Sequence, residues 1–80
     1  MSRVAYVNGL YVRHNDASIH IEDRGYQFAD GVYEVFAVSD NRLIDQTWHL
    51  DRLERSLDAL SIRLPMKRRP LVQILKEVIF

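Results

Sequence analysis

Apolar residues follow two different spacings along the chain. In the first half they gather in short runs, and in the second they recur every three or four residues. Val4 to Val7 and Leu10 to Val12 flank Asn8-Gly9. A two-residue hairpin turn needs φ > 0 at both central positions, and Asn-Gly supplies it, so this stretch predicts a β-hairpin. A polar connection, His14-Asn15-Asp16, leads to Ile19-His20-Ile21, which reads as another short extended stretch. The clearest strand spans Gly31 to Ser39. Val32, Tyr33, Val35, Phe36, Ala37 and Val38 fill both alternating sets, so both faces are expected to be covered, with Glu34 the exception. Asp40-Asn41 reads as a turn and Arg42 to Asp45 as a return strand.

The period then changes. Leu50, Leu53, Leu57 and Leu60 fall at helical spacing with charged residues between them, giving an amphipathic helix with Asp45 or Thr47 as N-cap. Leu64-Pro65 is expected to end that segment. Pro70, suited to a first helical position, opens a second helix with Leu71, Ile74, Leu75 and Val78 as its apolar stripe. That stripe still runs at Val78-Ile79-Phe80, with neither a C-cap glycine nor a polar tail, so a chain cut from something longer is expected. No internal repeat or second domain is visible. The fold class is α+β, one small domain over residues 1–80, an antiparallel sheet followed by two helices.

Composition narrows the function classes. Eighty residues lie near the lower limit for a core that sustains itself, and the absence of cysteine removes disulfides, thiol catalysis and cysteine-bound zinc. Eleven basic and eleven acidic residues cancel, leaving no global field for nucleic acid or an anionic membrane. The one basic cluster, Lys67-Arg68-Arg69, reads as a solvated loop. No apolar run reaches transmembrane length, and the start from Met1 to Tyr6 lacks the apolar core of a signal peptide. A cytoplasmic location is expected. His14, His20 and His49 have no metal-ligand spacing, and there is no glycine-rich phosphate loop.

Two stretches are candidates for chemistry. From Glu22 to Val35 the chain is dense in polar and aromatic residues, and Gly25 and Gly31 suggest unusual angles or close backbone approach. A tight loop whose charges cap and pair locally accounts for the same residues. Further on, His49 and Arg52 stand three apart on one helix face near its N-terminus, where a guanidinium beside free N–H groups suits a phosphate. Arg52 paired with an exposed acid, and His49 packing or capping, is the plainer alternative.

Three blocks resemble the N-terminal signature of the class IV (fold-type IV) pyridoxal-phosphate aminotransferases. They are Asp23-Arg24-Gly25-Tyr26-Gln27-Phe28, Asp30-Gly31-Val32-Tyr33-Glu34-Val35 and His49-Leu50-Asp51-Arg52-Leu53. The resemblance covers nearly the whole chain and is closest to the D-amino-acid transaminase branch. Ala29 stands where relatives often have glycine, which bears on the local turn alone.

The resemblance implies a pyridoxal 5'-phosphate cofactor, with Arg52 gripping its phosphate and His49 supporting that site from behind. It implies that Tyr33 helps hold the substrate carboxylate and that Val35, on the same strand face, lines the substrate pocket. Glu34, facing the other way, takes a structural or subunit-contact role. The Schiff-base lysine and the acid partner of the pyridinium belong to the family's large domain. Neither Lys67 nor Lys76 sits in a block like the catalytic-lysine motif. The chain alone is therefore expected to be inactive, its partners being the large domain, a second subunit of a homodimer, and D-amino-acid and 2-oxo-acid substrates. Branched-chain aminotransferases, aminodeoxychorismate lyases and R-selective amine transaminases share the scaffold and remain alternatives. So does a freestanding interaction module.

Overall fold

The computed structural model describes residues 3–80; the reading of the extreme N-terminus also involves Met1 and Ser2, which lie outside the described residues. Strand β1 (Val4–Val7) pairs antiparallel with β2 (Leu10–Arg13), with Tyr6 opposite Tyr11 and Val7 opposite Leu10. Asn8 (φ 49°) and Gly9 (φ 86°) make the turn between them, as the Asn-Gly pair predicts. The Tyr6 and Tyr11 rings meet edge to face at 5.0 Å. A 3₁₀ turn at His14–Asp16 leads away, and Ile19-His20-Ile21, expected to be a short extended stretch, joins no sheet.

A five-residue helix, α1 (Arg24–Phe28), lies inside the stretch expected to be loop. The Asp23 carboxylate accepts from the Gly25 amide at 2.9 Å and caps it. A side chain at Gly25 would bring its Cβ to 2.9 Å from that same carboxylate oxygen, so close approach explains this glycine. Gly31 has open space around it and an ordinary φ, which corrects the parallel expectation there. Ala29 closes α1 in the left-handed region, at φ 58°.

Strands β3 (Val38–Ser39) and β4 (Arg42–Leu43) form a second hairpin around Asp40 and Asn41, both at positive φ. The long strand expected from Gly31 to Ser39 is thus only two residues long. Its upstream part is extended, but a strand is defined by a ladder, and residues 31–36 have no ladder partner among the described residues. The antiparallel pairing is divided between two hairpins, and the α+β class holds.

Helix α2 (Gln46–Ala59) buries Leu50 and Leu57. Asp45 occupies the N-cap position with φ 55° and makes no side-chain cap bond. The helix ends at Leu60, four residues before the expected stop at Leu64-Pro65. The Ile62 amide reaches back to the Leu57 carbonyl and the Ser61 amide to that of Asp58, the paired bonds of a Schellman ending. Ser61 takes the left-handed position (φ 56°) that glycine usually fills. Ser61→Gly is accordingly expected to stabilise the fold by about 0.5–1 kcal/mol, read as a higher urea midpoint at unchanged slope.

Helix α3 (Arg68–Ile79) begins two residues before Pro70, which is its third residue rather than its first. The ring costs nothing there, because the first turn's amides have no helical partners. Leu50, Leu53, Leu64 and Leu71 close the seam between α2 and α3. Arg68 binds Asp51 at 2.9 Å and also Glu54, so one member of the basic cluster is already committed to ion pairs. The far end of α3 rests against β1, and partial burial followed by the nearby Glu77 pushes the Tyr11 phenol pKa up.

The resulting core is small. The chain exposes 6893 Å², where a self-contained protein of 9.4 kDa exposes about 5,000 Å². Among the described residues no helix is long and apolar enough to cross a membrane, and no group of three or more His, Cys, Asp or Glu could hold a metal ion.

Candidate functional site

Residues 31–37 run as an extended segment whose side chains alternate: Val32, Glu34 and Phe36 are half-buried, while Tyr33, Val35 and Ala37 are exposed. Period two therefore puts Tyr33 and Val35 on one row and Glu34 on the other, as expected. The expectation of two covered faces is not met. Tyr33 is 84% exposed and Val35 69%, because nothing among the described residues packs over the outer row.

The inner row docks on α2 through Glu34. Its side chain is only 6% exposed, and both carboxylate oxygens are used. Oε1 accepts from His49 Nδ1 at 2.7 Å and from Arg52 Nη2 at 2.8 Å, while Oε2 accepts from Arg52 Nε at 2.7 Å. An ionised carboxylate can only accept, so His49 Nδ1 carries a proton and donates it to Glu34. That ring packs between Phe36 (4.7 Å between centroids) and Trp48 (5.0 Å).

Arg52 is the seventh residue of α2. The helix's free amides precede His49, whose own N–H bonds Asp45, so the Arg52 backbone stands one turn past them. Its side chain leans back toward the helix start, as long helical side chains do, and its guanidinium lies 4.4 Å from the Trp48 ring centroid one turn earlier. Two of the five guanidinium N–H groups go to Glu34. Of the remaining three, one on Nη1 and one on Nη2 form the end-on edge of the fork, and the second on Nη1 points back toward Cδ. The side chain is partly open to solvent. This edge could hold an oxyanion in the usual two-pronged way.

Hydrogen bonds from Arg52 first, then from His49, hold the Glu34 carboxyl at a pKa of about 2, against an ordinary 4.5; burial works the other way. The bonds to Glu34 in turn raise the Arg52 pKa, against a smaller opposing effect of burial. The structure thus brings Arg52 and His49 together on Glu34, while Tyr33, next to Glu34 in the chain, faces outward on the row it shares with Val35. Glu34, expected in a structural or subunit-contact role, is the residue that joins His49 and Arg52, and Trp48 is a residue whose part the sequence did not show. Glu34 being the one charge in an apolar run, and Trp48 standing four before Arg52, were the available signals.

A pH dependence follows from Glu34. Its folded pKa is lowered, so the unfolded state takes up the proton first, and the stabilisation present above about pH 4.5 is lost as the pH falls toward 2. Urea midpoints measured at pH 5, 4 and 3 are expected to fall more steeply for the wild type than for Glu34→Gln. Equal slopes would show that Glu34 is not the titrating clamp.

The fold, the docked extended segment and its arginine define a known class. The chain belongs to the amino-transferase class IV family, whose sequence profile matches residues 31–80, from the extended segment through both long helices. Among individual proteins it is similar to the D-alanine aminotransferase of Listeria monocytogenes serotype 1/2a (strain 10403S), at 37% identity over 73 residues, 91% of this chain and 25% of that protein. It is similar also to the D-alanine aminotransferases of Bacillus licheniformis (38% over 72 residues, 90% and 25%) and Staphylococcus haemolyticus (32% over 74 residues, 92% and 26%). The chain spans about a quarter of the length of these curated relatives.

Proposed function

We propose that this chain is the small N-terminal domain of a cytoplasmic, homodimeric, pyridoxal-phosphate-dependent enzyme that moves an amino group from a D-amino acid to a 2-oxo acid. The observation that carries this reading is the open edge of Arg52, fixed by Glu34 and Trp48 beside the exposed Tyr33. The names of the similar proteins support the D-amino-acid donor, with D-alanine the first to try.

The residues fit such a cofactor. Arg52 supplies a permanently charged fork for the phosphate, and its ion pair with Glu34 leaves three donors over. One arginine whose charge a carboxylate already offsets does not balance a phosphate dianion alone, so further donors come from the large domain. When bound, the cofactor supplies the electron sink that makes the amino group transferable. Tyr33 offers its hydroxyl to the substrate carboxylate, and Val35 packs beside the substrate on the same row. His49 acts on Arg52 indirectly, by sharing the carboxylate that orients it.

The lysine that carries the cofactor and moves the proton belongs, on this reading, to the large domain, and the 80-residue chain alone has no turnover. The surface exposed beyond that of a self-contained protein of its mass supports a domain built to be covered. The test is donor profiling of the intact protein loaded with pyridoxal phosphate, using a common 2-oxo acceptor. Preference for D-alanine is expected. Preference for L-branched-chain amino acids or aromatic amines would move the protein to the branched-chain or R-amine transaminases, and release of pyruvate from aminodeoxychorismate to the lyases.

A further inference from the structure

We propose that Glu34 is a positioning residue for cofactor binding: its carboxylate holds Arg52 side-on so that the end-on edge of the guanidinium is presented to the phosphate. This rests on the reading of Arg52 as the phosphate-binding residue.

An arginine on a helix surface samples many rotamers, and an anion that binds it must first gather them. Here the gathering is already done. Glu34 takes the Nε and Nη2 protons at 2.7 and 2.8 Å, Trp48 covers one face of the guanidinium, and only the edge formed by Nη1 and the second Nη2 proton stays open. A carboxylate beside a phosphate site lowers the local positive potential, so its presence needs a compensating role. Geometry provides one, because the third donor, His49 Nδ1, fixes the carboxylate itself at 2.7 Å. His49 lies on α2 one turn before Arg52, so the carboxylate is gripped at two points on one rigid helix.

The same anchor sets the adjacent residue. Tyr33 precedes Glu34 and faces the opposite way, so fastening Glu34 to α2 also sets the direction in which the row of Tyr33 and Val35 faces.

Glu34→Gln keeps the shape but offers one acceptor oxygen and one NH₂, so a donor of Arg52 or His49 is left facing a donor. The experiment measures dissociation constants of pyridoxal phosphate and of pyridoxal, which lacks the phosphate, by absorbance titration of the intact protein. The variants are Glu34→Gln, Glu34→Asp, Arg52→Ala and the Glu34→Gln/Arg52→Ala double. Urea melts without cofactor accompany each one. Losing one charge-assisted bond predicts a fall of about tenfold in the preference for the phosphorylated form in Glu34→Gln. Glu34→Asp, which keeps the charge but loses reach, should lie between it and wild type. The double variant should have the same preference as Arg52→Ala, because Glu34 acts only through that side chain.

A preference within about twofold of wild type in both Glu34 variants, even with lowered stability, would show that Glu34 merely clamps the segment, since a tenfold loss is what one such bond predicts. An unchanged preference in Arg52→Ala would instead remove the phosphate reading itself. If Glu34→Gln fails to fold, Glu34→Asp alone decides: an intermediate preference supports the proposal and a wild-type preference overturns it.

Discussion

Leu50→Ala is expected to cost about 3 kcal/mol, in the middle of the range for emptying a closed aliphatic site. Leu50 is the most enclosed of the described residues, at 2% exposure, and it faces the seam where Leu53, Leu64 and Leu71 meet. Only Leu57 is comparably buried among the described hydrophobic residues. A loss of this size is a large share of what so small a core can supply, since whole domains are stable by only about 5–15 kcal/mol. Leu60→Ala is the control. Leu60 is 48% exposed, and its truncation should cost less than about 1 kcal/mol. Urea unfolding of the two variants side by side gives the comparison. Equal losses would mean that the α2–α3 seam is not a closed core.

Arg52→Ala carries the largest expected functional effect, a loss of about 10- to 100-fold in affinity for pyridoxal phosphate, or about 1.4–2.8 kcal/mol. The phosphate loses its fork, and Glu34 loses two of its three donors while staying almost wholly covered. Lower stability of the cofactor-free protein should therefore accompany the weaker binding. Arg52→Lys separates the two effects. It keeps the charge but can neither bind Glu34 through two parallel N–H groups nor lay a flat guanidinium on Trp48, so recovery should be partial. Cofactor titration by absorbance checks both variants. Full recovery by lysine would mean that the fork geometry has no part in binding.

What was legible in the sequence follows from the range of the forces involved. The first hairpin could be read because Asn8-Gly9 is a local requirement on φ, met by two adjacent residues. Helices α2 and α3 could be read because their leucine spacing is set by one turn of backbone. Their ends were less legible. Ser61 ends α2 through a left-handed backbone that serine does not advertise, and Asp45 takes a cap position without capping. Helix α1 was missed because its five residues include a glycine and two aromatics, and only the Asp23 cap supports it. The strand from Gly31 was overextended for the opposite reason: strand residues need a partner, which no local pattern supplies.

The candidate site divides in the same way. Tyr33 and Val35 on one row, and His49 and Arg52 on one helix face, come from period two and period 3.6. Glu34 meeting His49 and Arg52 spans 15 and 18 residues of sequence and depends on packing. The resemblance therefore gave Glu34 a structural or subunit-contact role, but no local pattern showed that His49 and Arg52 are what it binds.

The extended run from Gly31 to Ala37 also governs how such a chain behaves in concentrated solution. A strand-like edge with open amides and carbonyls is a template for another edge; residues 32–36 have no ladder partner among the described residues, and Val32 to Val38 combines β-branched and aromatic residues without proline. The one charge in that window, Glu34, is turned inward against α2, where it cannot repel an incoming strand. Self-association should therefore rise steeply with concentration, through strands adding edge to edge. The same carboxylate that orders the corner leaves the edge without a gatekeeper. A lysine at Val35, on the open row, would restore one and keep the chain in solution.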